Sequence, residues 1–182
     1  MNTITTPIFD FEKTIHSAMY VAERIKIKDF HRIFKILYFA DREHLSKYGR
    51  PITGDTYIKM EYGPVPTNLY NMFKSARDNG LFQGKNMKEY FTVHDTCLVK
   101  PEKETDLRLL SKTDTAELDK SIARYETASF NVLSSLSHDI AWTLAEDNKE
   151  IAIENILREA GENEEYISYI TENINCQKVF CN

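Results

Sequence analysis

Asp29 to Gly49 reads DFHRIFKILYFADREHLSKYG, and the fold turns on this stretch. Phe30, Ile33, Phe34, Leu37, Tyr38, Asp41 and Leu45 recur at three and four, the spacing that lines one face of an α-helix. Asp29 is placed to cap the first turn and Gly49 to end the last. The stripe is wide enough for a central core helix. Upstream, Phe11, Ile15, Ala18, Met19 and Ala22 predict another helix over Asp10 to Ile25. Downstream, Pro51, Gly54 and Asp55 mark a turn, Thr56 to Glu61 reads as a short strand, and Gly63-Pro64-Val65-Pro66 ends it. Pro66 then opens a helix with Leu69, Tyr70, Met72, Phe73 and Ala76 on one face, closed by Asn79-Gly80.

Lys88 to Val93 and Thr96 to Val99 flank His94-Asp95 and predict a hairpin whose turn lacks glycine. Ser111 and Asp114 have capping-box spacing ahead of a helix through Ala116, Leu118, Ile122 and Tyr125. A helix follows over Ser129 to Leu136, with Phe130, Val132, Leu133 and Leu136 expected to face inward. Ile151 to Ala160 is a further helix stopped by Gly161, and an acidic terminal helix runs from Glu162 to about Ile174 or Cys176. The expected fold class is mainly α: a compact helical domain spanning 1–182 with a short strand or β-hairpin insertion.

With 182 residues, 42% of them hydrophobic, the chain has ample material for one core and too much for a disordered polypeptide. The longest charge-free runs, Tyr62 to Phe73 and Thr127 to His138, fall short of the roughly 20 apolar residues of a membrane-spanning helix. The N-terminus lacks the basic start and apolar stretch of a secretory signal, and three cysteines are too few for a disulfide scaffold, so a cytoplasmic location is expected. Residues 1–100 carry 15 Lys and Arg against 11 Asp and Glu, and residues 101–182 carry 8 against 17. The halves are thus +4 and −9, a balance that disfavours direct nucleic-acid binding and suits protein partners. A DNA-binding role for Ser129 to Ala160 is weakest, because six acids there face only Lys149 and Arg158.

No glycine-rich loop precedes a helix, so no phosphate cradle and no cofactor are expected. His94-x-x-Cys97 with Cys176-x4-Cys181 offers four soft ligands, but the second spacing departs from zinc-site habit and free cysteines are the simpler reading. Asp41 and His44 stand one turn apart and offer a metal-ligand or acid–base pair. Asp41 also falls on the apolar stripe, where a carboxylate survives by accepting hydrogen bonds, and a structural role is the stronger expectation. Ser137-His138-Asp139 has the residue types of a hydrolase triad, but neighbours on one segment point apart. Gly63 and the two prolines should hold Tyr57, Lys59, Glu61 and Tyr62 rigidly, and this segment, Gly63, Pro64 and Pro66 included, is the expected partner-binding region. For Tyr57 and Tyr62 core packing and partner contact are equally open, whereas Trp142 is expected in the core.

Lys35-Ile-Leu-Tyr-Phe-Ala-Asp41-Arg-Glu-His, then Tyr48-Gly49-Arg50-Pro51-Ile52-Thr53-Gly54-Asp55-Thr56-Tyr57, then Tyr62-Gly63-Pro64-Val65-Pro66, resembles the Panacea, or SocA-like antitoxin, domain. Leu136-Ser137-His138 followed by Trp142 is similar to that family's second motif. The motifs run in order over roughly residues 30–145, with Leu81 to Ser111 as the departure. Asp41, Gly49, Pro51, His138 and Trp142 carry this structural pattern. The resemblance implies an antitoxin of a type II-like toxin–antitoxin pair, in bacteria or their phages, that neutralises a cognate protein toxin by direct binding. Its alternatives are an adaptor delivering the toxin to a cytoplasmic AAA+ protease and, from the residues themselves, a metal-dependent enzyme using Asp41 and His44.

Overall fold

The computed structural model describes residues 5–181. Eight α-helices appear among them: α1 (Phe11–Arg24), α2 (Phe30–Tyr48), α3 (Thr67–Arg77), α4 (Lys112–Tyr125), α5 (Phe130–Ser137), α6 (Ile140–Leu144), α7 (Ile153–Glu159) and α8 (Glu164–Cys181). Three antiparallel hairpins are interspersed: β1 (Tyr57–Met60) with β2 (Gly63–Pro66), β3 (Leu81–Phe82) with β4 (Lys85–Asn86), and β5 (Phe91–His94) with β6 (Leu98–Pro101). The chain is therefore mainly helical. None of its described helices is long and apolar enough to cross a membrane.

As the apolar stripe demands, α2 is central and packs against α1, α4, α5, α7 and β2. Asp29 accepts from Arg32 N at 2.8 Å to start it, and Gly49 ends it at φ +70°, left-handed backbone that glycine enters at little cost. Phe30, Phe34, Phe73 and Phe91 form a continuous aromatic core between α2, α3 and β5, with ring centroids 5.0 to 5.8 Å apart. The Ser111 and Asp114 capping box opens α4. The buried Arg32 closes it, donating to the carbonyls of Tyr125, Glu126 and Ala128, the last at 2.8 Å.

Four expectations are corrected. Gly63 to Pro66 does not terminate a strand; it is one, paired with β1 as Tyr57 with Pro66 and Lys59 with Pro64. Thr67 N donates to Thr56 O, so in this register odd-numbered β2 amides face β1 and each proline lacks only an outward N–H. The later hairpin pairs His94 with Leu98, placing its second strand at Leu98–Pro101 rather than Thr96 to Val99. Asp95 (φ +47°) and Thr96 (φ +68°) take the left-handed turn positions glycine usually fills, and the preceding residues Met87–Glu89 form a 3-10 turn. The helix expected over Ile151 to Ala160 begins only at Ile153; Ile151 and the residues before it run along the free edge of β1, where Lys59 N donates to Lys149 O at 2.9 Å and Ile151 N to Tyr57 O at 2.8 Å.

The fourth correction concerns α5. Only Leu133 of its four apolar residues is buried; Phe130, Val132 and Leu136 are 45, 46 and 49 % exposed. The helix buries Ser134 and Ser137 instead. It sits so close to β2 that a Cβ added at Gly63 would lie 2.2 Å from Ser137 Oγ, and only small side chains fit that face.

Candidate functional site

Beneath the β1–β2 tip, α2 presents His31, Lys35, Tyr38 and Arg42 at helical spacing, and each meets a polar group opposite. His31 Nε2 lies 3.0 Å from Ser134 Oγ, and Lys35 Nζ donates to Pro64 O at 2.8 Å. Tyr38 OH and Arg42 NH1 donate to Asp139 Oδ2 at 2.7 and 3.2 Å. Asp139 Oδ1 in turn accepts from Trp142 N at 2.9 Å and caps α6. Burial pushes His31 down to about 4, with the Lys35 charge adding to the effect, so the ring is neutral at pH 7. Burial also pushes Lys35 down to about 7. This polar ladder clamps the hairpin and the α5–α6 corner to the central helix. Only Tyr38 of the four had been placed on the helix's core-facing stripe; the signal for the others was their spacing beside it.

Gly63 is the tightest point of the clamp. Its φ of +100° is closed to side-chain-bearing residues without strain, and a methyl group there would meet Ser137 Oγ at 2.2 Å and Lys35 Cε at 2.9 Å. Gly63→Ala is expected to lose about 2–4 kcal/mol of stability in urea denaturation. Ser137→Ala in the same chain should restore part of that loss by removing the nearest atom, and no loss at all in the single variant contradicts the clamp.

Of the seven residues expected to face a partner, Tyr57, Gly63, Pro64 and Pro66 are buried, Glu61 and Tyr62 are exposed, and Lys59 is half-buried. Lys59 lies over the Trp142 ring, 4.4 Å from its centroid, and its ammonium donates to Ala145 O at 3.0 Å. Trp142 is half-buried, stacks on His138 at 3.9 Å, and donates through Nε1 to Met60 O at 3.0 Å. His138 and Trp142 thus rivet α6 to the hairpin. Tyr62 meets Phe130 edge to face at 5.3 Å, and Phe130 stacks on His31 at 4.0 Å. The outward surface here is Glu61, Tyr62 and the apolar residues that α5 and α6 leave exposed.

Asp41 and His44 are not brought together. Asp41 is 4 % exposed and its carboxylate accepts from Ile52 N at 2.6 Å, Thr53 N at 3.1 Å, Thr53 Oγ1 at 2.7 Å and Tyr57 OH at 2.7 Å. Burial raises its pKa above the ordinary carboxylate range against the pull of these four donors. The bonds tie α2 to the segment after Pro51, where the chain turns towards β1. Asp55 repeats the device one step on, accepting from Asn68 N and Leu69 N at 3.0 and 2.9 Å to start α3. His44 donates from Nδ1 to Arg50 O at 2.7 Å and directs Nε2 at Asp114 Oδ1, 3.1 Å away. Lys13 and Arg50 also approach the buried Asp114, at 2.8 and 3.2 Å; against the cost of burial, hydrogen bonds from His44, Lys13 and Ser111 N hold that carboxyl far below its usual range.

Ser137 Oγ donates to Ser134 O at 3.0 Å while Asp139 serves Tyr38, Arg42 and Trp142, so the triad residues diverge. His94 and Cys97 lie at the β5–β6 turn and Cys176 on α8; the Cys181 side chain is outside the described residues. Among the described residues no group of three or more His, Cys, Asp or Glu is arranged to hold a metal ion. A groove of about 650 Å3 between Glu23 and Leu107 is lined by charges that largely pair off, as in Arg24 with Glu23 and Lys100 with Glu102.

The fold and the site together define a helical scaffold in which one central helix clamps a proline-bearing hairpin and a helical corner. A family model described as Antitoxin SocA-like, Panacea domain matches residues 33–143, more than half of the chain, and the chain belongs to that family. The matched span holds Asp41, Gly49, Pro51, Gly63, His138 and Trp142, all of which the geometry places in the clamp or in the turns that lead to it. No curated protein and no solved structure matches the chain.

Proposed function

We propose that this chain is the antitoxin of a toxin–antitoxin pair and that it neutralises a protein toxin by direct contact at the hairpin tip and the adjoining α5–α6 corner. The observation that carries the reading is the inverted patterning of α5, which turns serines to the core and Phe130, Val132 and Leu136 to the outside. The apolar stripe of α2 is buried as its pattern demands, whereas α5 turns most of its apolar residues outward, which fits an apolar surface in use. The polar groups with the strongest claim to chemistry, Asp41, His44 and Asp139, are instead committed to structural bonds.

Coexpression tests the reading. Growth arrested by the product of the reading frame beside this gene is expected to be restored by this chain, in wild-type and in AAA+ protease-deficient hosts alike. Absence of rescue removes the antitoxin reading. Rescue that disappears without the protease replaces neutralisation with adaptor delivery.

A further inference from the structure

We infer that the exposed strip of α5 and α6 is the docking face for a basic protein partner, one that presents an apolar ridge flanked by Lys or Arg; this rests on the neutralisation reading and specifies its interface. Val132 and Leu136 stand one turn apart on α5, Ile140 and Leu144 one turn apart on α6, and only Ser137, His138 and Asp139 separate the two pairs. Phe130 and Tyr62 meet on another side of α5, against the hairpin tip and His31, because Phe130 and Val132 are two positions apart on the helix. Val132, Leu136, Ile140 and Leu144 are 46 to 59 % exposed, a run of apolar side chains turned to the surface.

The charges around the strip select the occupant. Residues 126–150 contain five acids, Glu126, Asp139, Glu146, Asp147 and Glu150, and one base, Lys149, a net charge of −4. Asp139 is consumed by Tyr38 and Arg42 and Asp147 pairs with Lys59 at 3.3 Å, but Glu146 and Glu150 are exposed on the segment held against β1, and Glu61 is exposed beside Tyr62. An apolar centre with an acidic margin gains from a partner of opposite pattern, through burial in the middle and charge-steered approach at the rim. A second copy of this chain would instead set acid against acid. The clamp below makes the face rigid, because His31, Lys35, Tyr38 and Arg42 fix α5 and the corner, which lowers the entropy lost on binding.

The test measures binding of the full chain to the product of the adjacent reading frame. Leu136→Asp with Ile140→Asp, both on the surface and outside the core, is expected to weaken affinity at least about 100-fold, whereas Leu81→Asp on the β3–β4 hairpin leaves it unchanged. Glu146→Lys with Glu150→Lys is expected to slow association about tenfold at low salt, with the difference vanishing as salt is raised. If the unaltered chain does not bind, neutralisation and docking face fall together. If it binds and the double aspartate variant binds equally well, the docking face is wrong and neutralisation stands. An association rate indifferent to salt and to the lysine substitutions overturns the basic partner. Sedimentation showing a dimer of this chain that the aspartate variant dissociates overturns it in favour of a second copy.

Discussion

Asp41→Ala is expected to destabilise the protein by about 3–5 kcal/mol, lowering Tm by roughly 10 °C. The carboxylate accepts two backbone N–H groups and two hydroxyls, all in the interior, and alanine leaves four donors without an acceptor. Tyr57→Phe removes one of these bonds together with its donor and should lose only about 1 kcal/mol. Asp41→Asn falls between the two, since its amide oxygen accepts while its NH2 group confronts donors. Urea denaturation followed by circular dichroism ranks the three variants. The ranking also separates a structural carboxylate from a catalytic one. A carboxylate kept in a core for chemistry is a burden to the fold, and its removal is neutral or stabilising. Asp41→Ala within about 1 kcal/mol of the unaltered chain would therefore contradict the role assigned here.

The contrast between Asp41 and α5 explains what could be read from the sequence. The central helix was legible because its stripe, its Asp29 cap and its Gly49 stop agree, and Asp41 was legible because a carboxylate on an apolar stripe needs donors. The α4 start was legible for the same reason, since Ser111 and Asp114 satisfy each other locally. In β2, by contrast, two prolines in four residues read as a terminator. Whether a missing N–H matters depends on the pairing register, which no local pattern encodes. The orientation of α5 was illegible because its charge-free run offers several apolar faces. The close approach of Gly63, more than 60 positions away in the chain, favours the face that puts a small side chain at Ser137 and Leu133 one turn before it. The Gly-Pro segment is the wedge that fixes the corner, and of its expected partner-facing residues only Glu61 and Tyr62 are exposed.

Lys35→Met is expected to be more stable than the unaltered chain at pH 6 and less stable at pH 10. Lys35 is 1 % exposed, and among the described residues its amine has one hydrogen-bond acceptor, the Pro64 carbonyl, and no carboxylate partner. Burial holds its pKa at about 7 in the folded chain, against 10.5 for an unburied lysine. Between these values the unfolded chain binds a proton that the folded chain does not, so stability rises with pH across that window. The full contribution is present above the unfolded pKa and is lost as pH falls through 7, a swing on the order of 4 kcal/mol. Methionine has similar length and no charge, so it removes the swing and leaves the Pro64 carbonyl unpaired, a loss of about 1–3 kcal/mol at every pH. The difference curve between the two chains therefore crosses zero, and other titrating groups, Tyr38 and Tyr57 among them, largely cancel in it. A difference that stays flat from pH 6 to 10 would show that the amine is solvated and that α2 does not grip the hairpin through it. With the slope present, Lys35 identifies a place where the fold keeps a costly charge directly beneath Gly63 and Pro64. The variant should then retain its fold at neutral pH while the hairpin tip loses its tether, separating the stability of the scaffold from the rigidity of the face it carries.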